Sequence, residues 1–318
     1  MFFGFLLGIS ACMIWGIIYV IPLILADYSP AFIALARYLV FAVFSAVYLW
    51  VKRREIRLCP ADWLEAVRLG LIGNLAFYWV LSEAVVRIGA ALAGIFTACI
   101  PVVASLWVLL REKNWRHDDR RLWTALAVIL AGLIFLNIDR FETLRGIDSN
   151  LFTSDDARFS SFDYAVGILF ALVSVLIWTW FPLKNAEWLK RHPKVSVSVW
   201  TAAQGVTLFP FTLFLLSADA IFNDAFLVPD ARCLIWLLVL GLGCSWLGSL
   251  LWNEASRRLP SVLVGQMLVF ETVSAIVYAS ILEGIFPSLP TLAGILVVLS
   301  GVLYSLNLLR QRSDLLLS

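Results

Sequence analysis

Long apolar runs, separated by short polar segments, follow one another along the whole chain. Each run holds about 20 residues, the length that an α-helix needs to cross a hydrocarbon core of roughly 30 Å. Backbone polar groups find no water in lipid, so runs of this kind are helical. The pattern predicts ten transmembrane helices, at residues 3–25, 31–51, 64–85, 91–110, 122–138, 163–183, 196–217, 234–252, 262–282 and 289–309.

Composition agrees with an all-α integral membrane protein. Hydrophobic residues make up 62% of the chain, charged residues make up 14%, and the mean hydropathy is +0.91. A soluble all-α domain would need amphipathic rather than uniformly apolar runs. The first run lacks a basic leading region and a small-residue cleavage pattern, so it is predicted as a helix and not as a signal peptide. The five cysteines have no paired spacing, and we expect neither a disulfide framework nor a metal site.

Positive charge alternates between the two sides of the predicted membrane. Five segments hold 17 Lys and Arg residues, whereas the intervening loops hold five. The rich segments are 52–57, 111–121, 184–194, 257–258 and 310–312. By the positive-inside rule, both termini are expected in the cytoplasm, which agrees with an even number of spans.

Two stretches about 171 residues apart resemble each other. LGLIGNLAFYWVLSEAVVRIGAALAG begins at Leu69, and LGLGCSWLGSLLWNEASRRLPSVLVG begins at Leu240. Held at this offset, four pairs of identical residues coincide: Glu83 with Glu254, Arg87 with Arg258, Gly94 with Gly265, and Glu112 with Glu283. Glutamate and arginine four residues apart on a helix form stabilising pairs. We therefore expect Glu83–Arg87 and Glu254–Arg258 to be ion pairs at span ends.

The similarity extends to the other predicted helices. Gly4 to Trp15 matches Gly167 to Trp178, and Gly132 matches Gly301. The sequence thus predicts two five-helix repeats, residues 1–138 and 163–318, joined by an extracytoplasmic loop at 139–162. An odd number of helices inserts the second copy upside down, which gives an inverted repeat about an axis in the membrane plane.

Motifs along the whole chain are similar to those of the drug/metabolite transporter superfamily, in its ten-helix EamA-type branch. They are Trp15-Gly16, Arg37 within SPAFIALAR, Ala84 with Gly89-Ala90-Ala91, Pro101 with Glu112, and Glu271 with Glu283. The resemblance implies an exporter that moves small metabolites through a central cavity by alternating access. It also implies a multi-pass protein of the bacterial inner membrane, a monomer or weak dimer, with a small-molecule substrate, the lipid bilayer as its surroundings, no cofactor and no nucleic acid.

Within that family, the aromatic-rich helices most resemble bacterial aromatic amino-acid exporters. Aromatic and other neutral amino acids are therefore the expected substrates. One departure concerns predicted helix 9, where the family carries Glu-Pro and this chain has Glu271-Thr272. This puts a kink in helix 9 in doubt, while a kink at Pro101 is expected.

Polar groups at mid-membrane depth are costly and tend to face a cavity. Asn74 and Tyr78, four residues apart, share one helix face. We predict that a set of polar or kink-forming residues lines the substrate pathway: Arg37, Asn74, Tyr78, Thr97, Pro101, Ser245, Ser249 and Gln266. The alternative for each polar side chain is a hydrogen bond that joins two helices.

Two ionisable residues within predicted spans have open roles. The Arg37 guanidinium suits a substrate carboxylate, which it can bind through two parallel hydrogen bonds, or it is a structural residue that extends toward the interface. Glu271, at the midpoint of predicted helix 9, either carries a coupling proton or is held in a hydrogen bond between helices.

The 14 tryptophans fall into two groups. Several lie near span ends, where interfacial aromatic belts occur. The deeper aromatic residues are candidates for the substrate site, and the alternative for each is packing against lipid or a neighbouring helix: Trp15, Tyr19, Trp79, Trp178 and Trp246. Trp15 and Trp178 are matched in the two repeats and are expected to form facing walls that suit an aromatic ring or an ammonium group.

Other functions remain open at this stage. The same scaffold suits an exporter of drugs, purines or sugar-like metabolites, or a receptor or scaffold that transports nothing. An enzyme is not expected, and no catalytic residues are assigned. The chain has no His-Glu-x-x-His, no Gly-x-Ser-x-Gly and no Gly-rich phosphate loop.

Overall fold

A computed structural model of the protein describes residues 2–111, 120–136, 161–222, 229–284 and 286–317. Within these ranges every regular element is helical. The α-helices are α1 (Phe2–Gly16), α2 (Ile21–Ile24), α3 (Pro30–Val51), α4 (Pro60–Gly70), α5 (Phe77–Ala98), α6 (Ile100–Arg111), α7 (Arg120–Leu136), α8 (Ser161–Arg191), α9 (Val197–Thr207), α10 (Phe209–Phe222), α11 (Ala231–Leu238), α12 (Ser249–Arg258), α13 (Ser261–Met267), α14 (Val269–Glu283) and α15 (Leu289–Leu317).

Short segments of other helical types join some of these elements. Ile17–Tyr19 forms a 3₁₀ turn between α1 and α2. A first π segment, Leu71–Ala76, joins α4 to α5, and a second π segment, Val239–Gly248, joins α11 to α12.

Seven helical stretches of the described chain are long and apolar enough to cross a membrane. They are Phe2–Tyr19, Ala31–Val51, Pro60–Ile88, Phe162–Arg191, Val197–Asp219, Ala231–Arg258 and Leu263–Leu282. These coincide with seven of the ten predicted runs, so a multi-pass helical membrane protein is confirmed. The remaining runs fall on α5–α6, on α7 with 17 residues, and on α15, whose stretch Leu289–Ser305 is apolar but shorter. The total of ten spans stays a prediction.

The break that was expected between the third and fourth runs is in the wrong place. The chain is helical without interruption from Pro60 to Ala98, and Arg87, which we expected in a loop, lies within α5. Arg87 forms an ion pair with Glu83 one turn earlier and donates a hydrogen bond to its carbonyl at 3.1 Å. Such i,i+4 pairing stabilises helix, so this segment stays helical. The interruption comes at Cys99.

The helices form two groups of three, and each is built around one long helix. In the α1 bundle, α1 packs against α12 and α14, and in the α8 bundle, α8 packs against α5 and α6. Two more pairs, α3 with α9 and α7 with α15, complete the main helix contacts.

Glycines set the approach of the long helices in both bundles. A Cβ on Gly4 of α1 would lie 2.9 Å from the Cβ of Arg258, and a Cβ on Gly167 of α8 would lie 2.7 Å from the Cβ of Arg87. Gly4 and Gly167 are matched in the sequence pattern, as are Arg258 and Arg87. Matched positions therefore make the same contact in the two bundles. The second expected ion pair, Arg258 with Glu254, is also present.

The α7–α15 pair also crosses at matched glycines. A Cβ on Gly132 would lie 2.6 Å from the backbone nitrogen of Val298, and one on Gly301 would lie 3.1 Å from the backbone nitrogen of Ile129. Small residues at such a crossing let two membrane helices approach backbone to backbone.

Two parts of the sequence prediction lie outside the described residues. They are Glu112 and nearly all of the expected extracytoplasmic loop at 139–162.

Candidate functional site

One helical stretch in each half of the chain is interrupted, and at the repeat offset the two interruptions lie two residues apart. The interruption at Cys99 separates α5 from α6, and the one at Leu268 separates α13 from α14. The first precedes Pro101 by two residues, close to the place where a kink was expected. The second occurs without a proline, because the backbone tightens locally: the amide of Glu271 donates to the carbonyl of Leu268 at 3.2 Å. Helices that break at mid-membrane depth often surround transport sites.

The two π segments also lie at matched places. Shifted by the repeat offset, the first π segment falls within the second. A π turn disturbs the normal backbone ladder and recurs at functional sites. In the first segment, the side chain of Asn74 donates to the carbonyl of Gly70 at 3.0 Å. In the second, the indole of Trp15 donates to the carbonyl of Cys244 at 2.9 Å. A side chain of the first segment thus bonds the backbone carbonyl just before it, whereas a carbonyl of the second segment binds a tryptophan of α1.

An aromatic cluster lies beside the second π segment. The rings of Trp15 and Trp178 are 6.3 Å apart, so the matched tryptophans meet at the boundary of the two bundles. Trp252 lies 5.2 Å from Trp15, and Phe77 stacks on Trp178 at 4.4 Å. The indole nitrogen of Trp252 is buried without a hydrogen-bond partner among the described residues. Trp252 was missed in the sequence because it is the last residue of a predicted run, where interfacial tryptophans are common.

Glu271 is the acidic side chain at the centre of this region. It is 8% exposed, and one carboxylate oxygen accepts a hydrogen bond from the Tyr19 hydroxyl at 3.0 Å. The bond joins the 3₁₀ turn after α1 to the first turn of α14. A buried carboxylate requires such compensation. Tyr19 itself is 54% exposed, so the pair reaches from the interior to accessible space.

Arg37 supplies positive charge on the neighbouring helix α3. Its Nη2 donates to the Tyr38 hydroxyl at 2.7 Å, whereas its Nε is buried without a partner among the described residues. The charge is close enough to interact electrostatically with Glu271 and Tyr78. The backbone of Arg37 lies against Gly241 of the second π segment. A buried N–H without a partner is costly and is a natural place for an anionic ligand group.

The remaining predicted residues have different surroundings. Trp246 packs against Phe44 at 4.9 Å, and Trp79 packs its edge on Phe170 at 6.0 Å while 59% exposed. These two tryptophans lie outside the aromatic cluster. Thr97 donates to the carbonyl of Gly94 within its own helix at 3.0 Å.

Two serines and a glutamine complete the predicted set. Ser245 is buried within the second π segment, and Ser249, the first residue of α12, is half-buried. Gln266 is fully buried two residues before the interruption at Leu268, and both its side-chain amide atoms lack a partner among the described residues. Such a group offers both a donor and an acceptor to a ligand or to water.

Sequence reasoning missed a second polar cluster, near the end of α8. In the interior, the carboxamide of Asn185 hydrogen-bonds to the carboxamides of Gln204 and Asn253. Asn253 comes directly after a predicted apolar run and Asn185 comes two residues after one, where polar residues normally mark the start of a loop. Because they lie just outside those runs, the sequence pattern does not identify them as buried residues.

Comparison with known proteins places these features in a family. The family model of the EamA-like transporter family matches residues 2–138 and 165–307. The chain is 32% identical over 315 residues to the inner membrane protein YtfF of Escherichia coli (strain K12), a match that covers 96% of this chain and 95% of YtfF. A solved crystal structure of a protein without a functional description has the same fold. It matches with a TM-score of 0.70 and 16% identity, over 96% of this chain and 97% of the other.

Proposed function

Because the chain belongs to the EamA-like transporter family, we propose that it exports aromatic and other neutral amino acids across the inner membrane. Membership of that family makes the protein a membrane transporter of the drug/metabolite transporter superfamily and not an enzyme. The substrate is the proposed part. The observation that carries it is the buried, unpartnered Nε of Arg37, a residue whose backbone lies against Gly241 of the second π segment, the same segment that accepts the indole of Trp15.

Arg37 is the proposed site of the substrate carboxylate. A guanidinium presents N–H groups in a planar fork that matches a carboxylate, and charge-assisted bonds of this kind are about twice as strong as neutral ones. Its Nη2 is already held by Tyr38 at 2.7 Å, which fixes the fork in place. Preorganisation of this kind favours binding, because the side chain loses less freedom when the ligand arrives.

The aromatic cluster is the proposed site of the substrate side chain. Trp15 is fixed by its hydrogen bond to Cys244, and Trp178 is fixed by its stack on Phe77. Trp178 stays half-buried, so part of its ring is available to a ligand. Tilted and stacked rings at these distances suit an aromatic amino acid.

Glu271 is the proposed carrier of a coupling proton. It is buried, joined to a partly exposed tyrosine, and within electrostatic reach of Arg37. A carboxylate at this depth is a candidate proton relay in a transporter.

The proposed transport cycle uses the two repeats. Matched glycines, matched π segments and helix interruptions within two residues of matched positions support a pseudo-two-fold arrangement of residues 1–138 and 163–318. The units proposed to rock against each other around a fixed site are the α1 bundle and the α8 bundle, each of which combines helices of both repeats. The proposed orientation has both termini in the cytoplasm, and the proposed assembly is a monomer or weak dimer.

Counterflow in proteoliposomes tests the substrate. Vesicles that contain the purified protein and excess unlabelled phenylalanine are expected to accumulate external labelled phenylalanine. Phenethylamine, which lacks the carboxylate, should compete poorly. If phenylalanine exchanges no faster than in empty vesicles while a purine, a sugar or a drug does exchange, the amino-acid assignment is wrong and the transporter assignment stands.

A further inference from the structure

A closed network of polar side chains joins three helices near the end of α8. Its members are at most 5% exposed and are called the polar clasp: Asn185, Trp200, Thr201, Gln204 and Asn253. Asn185 is on α8, Asn253 is on α12, and the other three are on α9. Polar groups at this depth are costly unless each finds a partner.

The hydrogen bonds of the clasp satisfy these groups in turn. The side-chain oxygen of Asn185 accepts from the indole of Trp200 at 2.8 Å and from the amide of Gln204 at 2.9 Å. The side-chain nitrogen of Asn185 donates to the side-chain oxygen of Asn253. The nitrogen of Asn253 in turn donates to the hydroxyl of Thr201 at 2.9 Å. Connected networks of this kind favour one arrangement of the helices that carry them.

The clasp crosses the boundary between the two bundles. Asn185 belongs to the α8 bundle and Asn253 belongs to the α1 bundle. Helix α9, which packs on α3, supplies the donors and the acceptor that hold both asparagines. The network therefore does more than stiffen one bundle, because it fastens one bundle to the other.

Two more contacts follow the same boundary along α8. In the middle, Trp178 meets Trp15 of the α1 bundle. Near the end, the ammonium of Lys190 donates at 3.2 Å to the hydroxyl of Ser261, which comes three residues after the end of α12 of the α1 bundle. From Trp178 to Lys190 the rise along α8 is about 18 Å. The boundary is thus held together from the candidate site to this end of the molecule.

Gln204 can be compared with the residue at the matched position of the first repeat. Helices α3 and α9 begin after the serines Ser29 and Ser196. Counted from these serines, Arg37 and Gln204 occupy the same position. Gln204 is bonded within the clasp, whereas Arg37 keeps an unpartnered Nε. The clasp is therefore fastened at the repeat position where the candidate site presents a ligand-binding group.

We infer that the polar clasp is a gate that closes the pathway at the end of α8 and opens once in each transport cycle. The inference rests on the proposed alternating access of the two bundles. Neutral carboxamides suit a gate, because an opened asparagine exchanges a protein partner for water at small net cost. Buried apolar side chains would gain no equivalent partner from water when the gate opened.

A reversible cross-link tests the gate. The Asn185→Cys/Asn253→Cys pair, in a protein whose five native cysteines have been replaced, is oxidised to a disulfide and then reduced in the same vesicles. Substrate exchange is expected to fall to the level of empty vesicles on oxidation and to return on reduction. The Arg87→Cys/Phe170→Cys pair, which joins α5 to α8 inside one bundle, is the control and should exchange substrate when oxidised. Full exchange by the oxidised 185/253 pair would overturn the gate.

A second pair and a second readout protect the test from a variant that fails to fold. Lys190→Cys/Ser261→Cys crosses the same boundary at the surface and should give the same reversible block. Thr201→Cys, buried in the clasp, is expected to react slowly with a water-soluble maleimide and to be protected when the 190/261 cross-link is formed. This labelling needs no transported substrate. A Thr201→Cys thiol that reacts only as fast as the protein unfolds would overturn the gate, whereas labelling without any exchange of phenylalanine would overturn the proposed substrate alone.

Discussion

Gly248 lies directly beneath the indole of Trp15: a Cβ at position 248 would be 2.6 Å from the indole nitrogen. The absence of a side chain there lets the ring approach the second π segment closely enough to donate to the carbonyl of Cys244 at 2.9 Å. The matched position in the first repeat is Phe77, which stacks on Trp178. The two matched tryptophans are therefore fixed by different means, one by a hydrogen bond and the other by a stacked ring.

Gly248→Ala should displace Trp15 and weaken transport. The added methyl group has no room beside the indole, and overpacking of this kind costs about 1–3 kcal/mol. We expect a lower rate of phenylalanine exchange and a shift in tryptophan fluorescence. Gly243→Ala is the matched control, because a Cβ at that position of the same π segment meets nothing within 4 Å. Equal loss in both variants would indicate a general effect of alanine on the π segment.

Arg37→Lys should weaken the binding of substrates that carry a carboxylate. Lysine keeps the charge but lacks the planar fork and the Nε–H group. Because a charged hydrogen bond is lost, we expect a roughly ten- to a hundredfold increase in the substrate concentration that gives half-maximal exchange. Competition by phenethylamine, which has no carboxylate, should change little. An equal change for both compounds would make Arg37 a structural residue.

Gly132→Val should destabilise the α7–α15 pair. The new side chain would meet the backbone of α15 at Val298, and backbone cannot move aside as a side chain does. Overpacking of this kind is expected to lower the free energy of unfolding by about 1–3 kcal/mol. The measurement is the thermal unfolding midpoint in detergent. Ile134→Val, at a largely exposed position of the same helix, should leave the midpoint nearly unchanged.

The spans of this molecule are easier to predict than its interruptions. Crossing a membrane requires only length and apolar character, and both can be read from single runs. No proline follows Leu268 within the next turn, so the sequence does not indicate the break there. The break depends on a local hydrogen bond from the amide of Glu271. The continuous helix through Arg87 shows the converse, since a charged residue suggested a loop where an ion pair to Glu83 maintains the helix.

The contacts of the candidate site also differ in how well the sequence predicts them. The meeting of Trp15 and Trp178 is predictable because the two tryptophans occupy matched positions of the sequence repeat. The bond between Tyr19 and Glu271 joins residues 252 positions apart, and no local pattern indicates it. Asn185 and Asn253 show a further limit, since a polar residue next to an apolar run has the same local pattern whether it faces solvent or a buried partner.

Reporter fusions should place both ends of the chain in the cytoplasm. The segments that carry 17 of the Lys and Arg residues are expected to stay on that side. A green fluorescent protein after Ser318 should be fluorescent, and alkaline phosphatase at the same place should be inactive. Fusion after Asn150, in the expected extracytoplasmic loop, should give the reverse. Active phosphatase after Ser318 would contradict the orientation.

Glu271→Gln should separate substrate exchange from proton coupling. The amide retains the shape of the carboxylate and still accepts a hydrogen bond from Tyr19, but it cannot bind and release a proton in the transport cycle. Counterflow without a pH gradient should persist, whereas accumulation driven by a pH gradient should be lost. Tyr19→Phe is the matched variant, because it removes the 3.0 Å bond to Glu271 and leaves the carboxylate in place, so gradient-driven accumulation should remain. Gradient-driven accumulation by Glu271→Gln at the wild-type level would assign Glu271 to helix packing and require another proton carrier.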